Sequence, residues 1–210
     1  MIKKNLKTMI IASIIILIPM IFGLAMWDQL PAEIATHFGE NGEPNGWSSK
    51  PMAVIGIPLI LLLVEWCCAF VTGVDPKHEN ISDKMYTLVL WIAPLISLFA
   101  CGSMYLYTFD SSINTTTIAV VMMGVMFIVI GNYMPKMKQS YTLGIKLPWT
   151  LESEENWYRT HRVAGYAFMT AGVITIIACV LQMYWMTFVA LLGATIIPTV
   201  YSYRLYKKGI

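Results

Sequence analysis

Six apolar stretches account for more than half of this 210-residue chain. They run roughly from Thr8 to Met26, Met52 to Gly73, Met85 to Tyr107, Thr115 to Met134, Val163 to Gln182 and Met183 to Tyr206. Each has about 20 residues, which as a helix spans the ~30 Å hydrocarbon core of a bilayer. Because 57% of the residues are hydrophobic and only 12% are charged, the composition is not that of an ordinary soluble domain. The sequence therefore predicts an all-α integral membrane protein with six transmembrane helices.

The cationic residues predict how these helices are oriented. Six crossings put both termini on one side, and 13 of the 14 Lys and Arg residues share that side, with Lys50 alone opposite. By the positive-inside rule, both termini are cytoplasmic. The first stretch follows three lysines as a signal peptide would, but it is too long and lacks a small-residue cleavage site, so we expect it to be retained. The net charge of +2 gives no indication of nucleic-acid binding.

Two connections are long, one on each side, and loops of this kind commonly carry function. The external connection covers residues 27–51. Its turn signals, Asn41-Gly42 and Pro44-Asn45-Gly46, predict a structured, hairpin-like excursion. We expect Trp27 and Trp47 to lie at headgroup level. The candidate ligand-binding residues of this connection are His37, Gly42, Glu43, Pro44, Gly46, Trp47 and Lys50.

A metal site in the external connection is not favoured. Glu33 and His37 are four residues apart, with Glu40 and Glu43 nearby, but the HExxH spacing and a second His are missing. The four cysteines all fall within apolar stretches, where they read as packing residues. We therefore predict no metal and no cofactor.

The internal connection covers residues 135–162. Pro148-Trp149-Thr150 is expected to end an extended piece, and a helix should begin near Thr150 or Ser153, with Glu152, Glu154 and Glu155 in its first turn. That helix can continue through Arg162 into helix 5, with Glu155 and Arg159 paired and Trp157, His161 and Gly165 on one side. This basic, aromatic surface would suit a soluble partner. The alternative is an interfacial segment held by anionic lipid.

Two features inside the apolar stretches stand out. Glu65 is the acidic residue well inside such a stretch, and an intramembrane carboxylate is a functional candidate. Its partner would be Lys146, His161 or Arg162, unless it is a structural bridge or a protonated, hydrogen-bonded acid. In helix 5, small residues recur every seven positions and predict a close helix-packing face. They are the pairs Ala164-Gly165, Ala171-Gly172 and Ala178-Cys179.

Both long connections resemble known sequence patterns. The external one, with His37-Phe38, Gly42-Glu43-Pro44 and Gly46-Trp47, is similar to the DUF1648 membrane module. The internal one resembles the signature region of the SdpI family of bacterial multi-pass membrane proteins through Gly131-Asn132-Tyr133, Pro135-Lys136, Gly144-Ile145, Pro148-Trp149-Thr150-Leu151, Glu155, Trp157 and His161-Arg162. The resemblance divides the chain into a DUF1648-like part, 1–84, and an SdpI-like part, 85–210.

The resemblance implies immunity to a peptide toxin that acts from outside, combined with relay of its presence to a transcriptional autorepressor at the cytoplasmic face. The signalling residues that it implies are Asn132, Pro135, Lys136, Lys146, Pro148, Trp149, Thr150, Glu155, Trp157, His161 and Arg162. The partners are then the bilayer, the toxin and the repressor, with no direct contact to nucleic acid.

A transporter or membrane enzyme that uses Glu65 on a lipid or small substrate is the alternative. Against an enzyme, the sequence has no Asp pair, no nucleophile with an obvious base and no metal motif. We therefore predict a protein that is not an enzyme.

Overall fold

The computed structural model describes residues 1–39 and 42–210 of the chain. In this part of the chain, six helices are long and apolar enough to cross a membrane, as predicted. The secondary-structure elements are α1 (Ile2–Ala25), β1 (Glu33–Phe38), β2 (Pro44–Ser49), a π-helical turn (Met52–Gly56) that leads directly into α2 (Ile57–Gly73), α3 (Asp83–Phe109), α4 (Thr115–Tyr133), the short helix α5 (Pro148–Glu152), α6 (Glu154–Val180) and α7 (Tyr184–Lys207). Several helices begin before their apolar stretch because polar residues continue the helix outside the hydrocarbon region.

The chain forms two compact units. The first contains residues 1–73 and 86–119, and the second contains residues 74–85 and 120–210. These boundaries differ from the sequence division at residue 84, because most of α3 packs in the first unit. The division into parts 1–84 and 85–210 stays a prediction about sequence modules.

In the first unit, α3 ties α1 and α2 together through hydroxyl groups. Ser97 donates to the carbonyl of Ile16 over 2.8 Å, and Tyr86 donates to the carbonyl of Ala69 over 2.9 Å. Tyr105 donates to the carbonyl of Pro19 over 3.1 Å. Hydrocarbon offers no competing water, so these groups must find their partners within the protein. The bonds therefore fix which faces of the three helices meet.

The predicted external hairpin is confirmed: β1 and β2 pair antiparallel, with Ala35 opposite Trp47 and His37 opposite Gly46. Gly42 lies in the connecting turn with φ +84°, a backbone conformation that favours glycine. Glu40 and Asn41 lie outside the described residues. The hairpin is seated on an apolar cluster of its own unit. That cluster consists of Leu30, Ile34, Ala53, Val54, Cys101, Met104 and Tyr105.

In the second unit, α4 and α6 approach closely at two pairs of glycines. A Cβ atom on Gly131 would lie 2.8 Å from the carbonyl oxygen of Gly165, and one on Gly172 would lie 2.5 Å from that of Gly124. The two glycines of each helix are seven residues apart, and they pair in antiparallel order. All six residues of the predicted small-residue face on α6 are buried. The packing face is confirmed, and α4 is a helix that it meets.

Candidate functional site

Asp75, just beyond the end of α2, organises the connection between α4 and α6. One of its carboxylate oxygens accepts hydrogen bonds from the backbone N–H groups of Tyr141 and Thr142, over 2.9 and 2.8 Å, and from the Thr142 hydroxyl over 2.6 Å. The other oxygen accepts from the N–H of Lys77 over 2.7 Å. Asp75 is only 2% exposed. Its burial acts to raise the pKa, but the bonds from Thr142, Lys77 and Tyr141 outweigh burial and hold the pKa below its ordinary value.

Gln139 forms a second crossing point in the same connection. Its side-chain amide donates to the carbonyls of Thr150 and Leu151 over 2.9 and 2.8 Å, and its side-chain oxygen accepts from Lys77. Asn80 donates to its backbone carbonyl over 2.8 Å. Gln139, near the start of the connection, thus joins residues 77–80 to its end at Thr150 and Leu151. We call residues 137–152, together with residues 75–80, the loop cluster.

His161 closes the loop cluster from α6. Its Nδ1 lies 2.8 Å from the carbonyl of Trp157, and its Nε2 accepts from the backbone N–H of Ile145 over 2.9 Å. A nitrogen that accepts carries no proton, so this geometry requires a neutral imidazole protonated on Nδ1. The ring stacks on Trp157 with centroids 4.1 Å apart, and neither side chain is more than 2% exposed. Gly144, with φ +102°, provides the space above both rings.

Thr150 fixes the entry into α5. Its hydroxyl accepts from the N–H of Leu147 over 2.9 Å and lies 2.8 Å from the carbonyl of Ile145. Pro148 occupies the first turn of α5, where a missing N–H costs nothing. The expected extended piece therefore ends at Leu147, and the prediction that it includes residues 148–150 was wrong. The predicted start of α6 near Ser153 is confirmed, because the Ser153 side chain caps it through the N–H of Asn156. Glu154 and Glu155 lie in its first turn as predicted, but the prediction for Glu152 was wrong, because Glu152 is the last residue of α5.

Two side chains hold α7 against this region. Asn156, fully buried, donates to the carbonyls of Ser202 and Ile210 over 3.1 and 3.0 Å and accepts from Thr160. Trp149 donates to the Ser202 hydroxyl over 2.5 Å and stacks on Tyr206 with centroids 5.5 Å apart. The end of α7 and the start of α6 therefore form one body with the loop cluster.

The residues implied as signalling residues divide into three sets by exposure. Thr150, Trp157 and His161 are buried and shape the loop cluster, so a partner could not contact them without opening it. The exposed set consists of Asn132, Lys136, Lys146, Pro148, Glu155 and Arg162, while Pro135 and Trp149 are partly covered. Glu155 and Arg159 pair over 2.5 Å, as predicted. Lys146 donates to the carbonyl of Thr142 over 3.2 Å, and Pro135 contacts Gly165.

A groove of about 500 Å³ includes one residue of the exposed set, Lys136, and the partly covered Pro135 in its lining. Its polar lining comes from Asn80, Lys136, Lys138, Gln139, Glu154 and Tyr158. Lys136 also lies over the Tyr133 ring, 5.0 Å from its centroid. The floor of this groove includes Trp157, so its shape depends on the loop cluster.

The external candidates lie along one hairpin. His37 bonds Asn45 across the strands, and Lys50 donates to the carbonyl of Trp27 over 3.0 Å while lying over its ring. Trp47 is 57% exposed and Glu43 is also exposed. The other predicted residues, Gly42, Pro44 and Gly46, shape the backbone of the turn and of β2. The hairpin thus presents a small set of accessible side chains on a fixed frame.

Glu65 is buried, as predicted, but its partner is Ser13 of α1, which donates to Oε2 over 2.9 Å. The Ser13 hydroxyl in turn accepts from Trp66 over 3.0 Å. Both nitrogens of His161 are already engaged by Trp157 and Ile145, so pairing with His161 was a wrong prediction. Oε1 of Glu65 is buried without a hydrogen-bond partner among the described residues. In the part of the chain that the structure describes, no three metal-ligating side chains converge.

Sequence reasoning missed Asp75, Gln139 and Asn156, which carry the hydrogen bonds of this region. For Asp75 a signal existed, because Asp75-Pro76 directly follows an apolar helix and such pairs often initiate turns. Gln139 and Asn156 have no local signature, since their bonds reach segments distant in sequence.

These features define a class: a multi-pass membrane protein whose described residues form six membrane-spanning helices, with a two-stranded hairpin in one long connection and a hydrogen-bonded loop cluster in the other. The model of the SdpI/YfhL protein family matches residues 136–202, and the model of DUF1648, a domain of unknown function, matches residues 14–62. The chain therefore carries an SdpI/YfhL family region together with a DUF1648 region, and the resemblance seen in the sequence is confirmed. Together with the six apolar helices, these matches indicate a multi-pass protein of the bacterial membrane.

Over nearly its whole length the chain is similar to the immunity protein SdpI of Bacillus subtilis (strain 168). The two are 26% identical over 214 residues, which cover 98% of this chain and 97% of that protein. No solved structure matches the chain.

Proposed function

We propose that this protein is a membrane immunity protein that protects a bacterium from a peptide toxin. The observation that carries the proposal is the similarity to the immunity protein SdpI, which extends over nearly all of both chains. Similarity of this extent includes both long connections and all six helices, not a single shared segment.

In this proposal both termini are cytoplasmic, and the hairpin faces the outside, where a toxin arrives. His37, Glu43 and Trp47 are among its exposed side chains. An exposed Trp on a rigid strand suits recognition of an apolar or amphipathic peptide, because it offers a large contact area at little entropic cost. The hairpin's seat on the cluster of Leu30, Ile34 and their neighbours supports its role as a preorganised surface.

We further propose that the chain relays binding from the hairpin to the loop cluster through α2. β2 ends at Ser49, the π-helical turn begins at Met52, and α2 ends at Gly73, two residues before Asp75. π-helical turns are rare and frequently occur at functional sites. A change in this turn would shift α2, and because α2 ends two residues before Asp75, the shift would reach Asp75. The exposed side of the groove lined by Lys136 and Lys138 would then meet a cytoplasmic repressor.

The test is survival of a toxin-sensitive bacterium that expresses this chain. We expect the wild-type chain to raise survival against a cognate peptide toxin, and Trp47→Ala to remove most of that gain. Trp185→Ala is the matched control, because Trp185 is a comparably exposed tryptophan, 62% exposed, at the start of α7. Equal survival with and without the wild-type chain, for every peptide tried, would reject immunity. Equal loss in both variants would reject the hairpin as the receiving surface.

A second candidate function is transport or chemistry on a small substrate at Glu65. The specific observation in its favour is the buried Oε1 atom without a partner, beside the Ser13 hydroxyl. Replacing Glu65 with Gln keeps the shape but removes the acid. If Glu65→Gln abolishes protection while toxin binding and folding persist, the result supports the transport hypothesis. Unchanged protection in this variant would reject that hypothesis.

A further inference from the structure

A second groove is lined by residues of α6 and α7, and none of its lining residues belongs to the loop cluster. It has a volume of about 460 Å³ and runs between the first turns of α6 and the last part of α7. The residues that line it are Glu155, Tyr158, Arg159, Arg162, Val163, Tyr166 and Tyr201. Two cations and one carboxylate give the groove a net positive charge.

The two arginines of this groove are engaged differently. Arg159 donates through Nε to Glu155 over 2.5 Å, so the carboxylate already has a partner. Arg162 is exposed and has no ion-pair partner among residues 1–39 and 42–210. A guanidinium can bind two oxygens of a phosphate at once, which makes it the cation best suited to a phosphate group.

The groove continues into further positive charge on α7. A neighbouring groove shares Tyr201 and is lined by Arg204, Lys207 and Lys208. Lys207 also lies over the Tyr203 ring, 5.6 Å from its centroid. The two grooves together place five cations around one carboxylate, which favours an anionic occupant.

The position of the groove along α6 points to a lipid. Arg162 is the last charged residue of α6, and the helix from Val163 onward is the apolar stretch that crosses the membrane. This border is where phospholipid headgroups lie, and tyrosines are enriched there because their rings are amphipathic. Tyr158 and Tyr166 are 53% and 60% exposed, so they can contact a lipid directly.

We propose that this groove binds the headgroup of an anionic phospholipid, with Arg162 holding the phosphate and Tyr158, Tyr166 and Tyr201 surrounding it. The site is distinct from the hairpin and from the loop cluster, and it does not depend on the proposed immunity function. Lipid bound there would brace α6 against α7 beside the loop cluster.

The experiment measures lipid retention by the purified full-length protein. Phosphatidylglycerol and phosphatidylcholine are titrated onto the protein in detergent, and bound lipid is counted by native mass spectrometry. We expect phosphatidylglycerol to be retained preferentially, and Arg162→Gln to weaken its retention about 20-fold or more. Lys146→Gln is the matched control, an exposed cation outside the groove. Each cation near an anionic surface strengthens lipid binding about fivefold through general electrostatics. Retention of phosphatidylglycerol by the control should therefore weaken by no more than that factor.

Three further arms keep the result unambiguous. Arg162→Lys keeps the charge but loses the forked geometry, and we expect it to bind less phosphatidylglycerol than the wild type. Arg159→Gln serves as a second groove variant if Arg162→Gln alters helix content by circular dichroism. Inorganic phosphate should not displace the lipid at equal concentration. The proposal is overturned if Arg162→Gln and Lys146→Gln weaken the retention of phosphatidylglycerol equally. It is also overturned if inorganic phosphate alone occupies the groove as well as the lipid does.

Discussion

Asp75 gathers four hydrogen bonds on one buried carboxylate, and this makes it the residue on which the loop cluster depends most. A hydrogen bond to a charged group contributes roughly 1.5–3 kcal/mol. We expect Asp75→Asn to weaken the cluster by about 2 kcal/mol, because an amide NH₂ would face backbone N–H groups that need an acceptor. Hydrogen exchange at the Tyr141 and Thr142 amides should speed up roughly 30-fold.

Asp110→Asn is the matched control for this substitution. Asp110 also accepts from a backbone N–H and a hydroxyl, both of Ser112, but it is exposed at the end of α3. Exchange at Tyr141 and Thr142 should stay at the wild-type rate in this variant. Equal exchange rates in wild type and Asp75→Asn would mean that the carboxylate does not hold the loop.

The lowered pKa of Asp75 gives a pH dependence of known sign. A carboxyl group whose pKa is lower in the folded state contributes stability above its unfolded pKa, about 3.9, and loses that contribution as pH falls through the folded value. The difference in thermal midpoint between wild type and Asp75→Asn should therefore have its largest value at pH 5–7 and become smaller below about pH 4. A difference that grows on acidification would contradict the assignment.

Gly144 is the second residue whose replacement has a clear expected outcome. A Cβ atom there would lie 2.3 Å from Nε2 of His161 and 2.9 Å from the Trp157 ring, on a backbone with φ +102°. Gly144→Ala should displace both rings, break the bond to Ile145 and lower the thermal midpoint by several degrees. Gly209→Ala is the control, since Gly209 has φ +79° with no atom within 4 Å of its Cβ position. Similar effects of the two substitutions would attribute the loss to backbone strain alone.

Side-chain contacts between residues close in sequence could be predicted, and contacts between distant segments could not. Glu155 with Arg159 and the Ser153 cap were predictable, because helix periodicity places their partners three or four residues away. The bonds of Asp75 to Thr142 and of Gln139 to Thr150 join segments that no periodicity relates. Glu65 shows the same limit, since its burial followed from its setting but its partner Ser13 lies 52 residues away.

Among the elements, the pairing of α4 with α6 gives the sharpest test. A Cβ atom on Gly172 would meet the Gly124 carbonyl oxygen at 2.5 Å, and backbone cannot move aside as a side chain can. We expect Gly172→Ala to separate the helices and destabilise the second unit by roughly 1–3 kcal/mol, the usual cost of overpacking. The measurement is thermal unfolding in detergent, followed by circular dichroism.

Gly193→Ala on α7 is the matched control for the packing test. Its Cβ position has ordinary contact, 3.9 Å from the nearest atom, and alanine favours a helix more than glycine does. This variant should be neutral or slightly stabilised. If both variants unfold at the same temperature, the close approach of α4 and α6 is not what holds this unit.

Helices and strands could be predicted where the sequence pattern that indicates them is local. The six apolar stretches gave the helices, and the turn residues gave the hairpin. The seven-residue repeat on α6 gave its packing face, but not the glycines of α4 that meet it, because a repeat does not identify its partner helix. The short helix α5 was missed, since five residues around Pro148 have too few turns to show a period.

At the scale of the whole molecule, the prediction to test is orientation. The distribution of Lys and Arg predicts that Trp47 of the hairpin is outside and Lys146 of the loop cluster is inside. Each is exposed, so each can be replaced by Cys and offered to a maleimide that does not cross membranes. We expect Trp47→Cys to react in intact cells and Lys146→Cys to react only after permeabilisation. The native cysteines Cys67 and Cys68 lie in α2 within the apolar region, so labelling of the parent chain sets the background.

The result decides more than topology. If Lys146→Cys reacts in intact cells and Trp47→Cys does not, the hairpin is cytoplasmic and cannot meet an external toxin first, and the relay would have to run the other way. If both react in intact cells, the two connections share one side, which the three predicted crossings between residues 47 and 146 do not allow. Only labelling of residue 47 alone agrees with a hairpin that receives the toxin and a loop cluster that faces the cell interior.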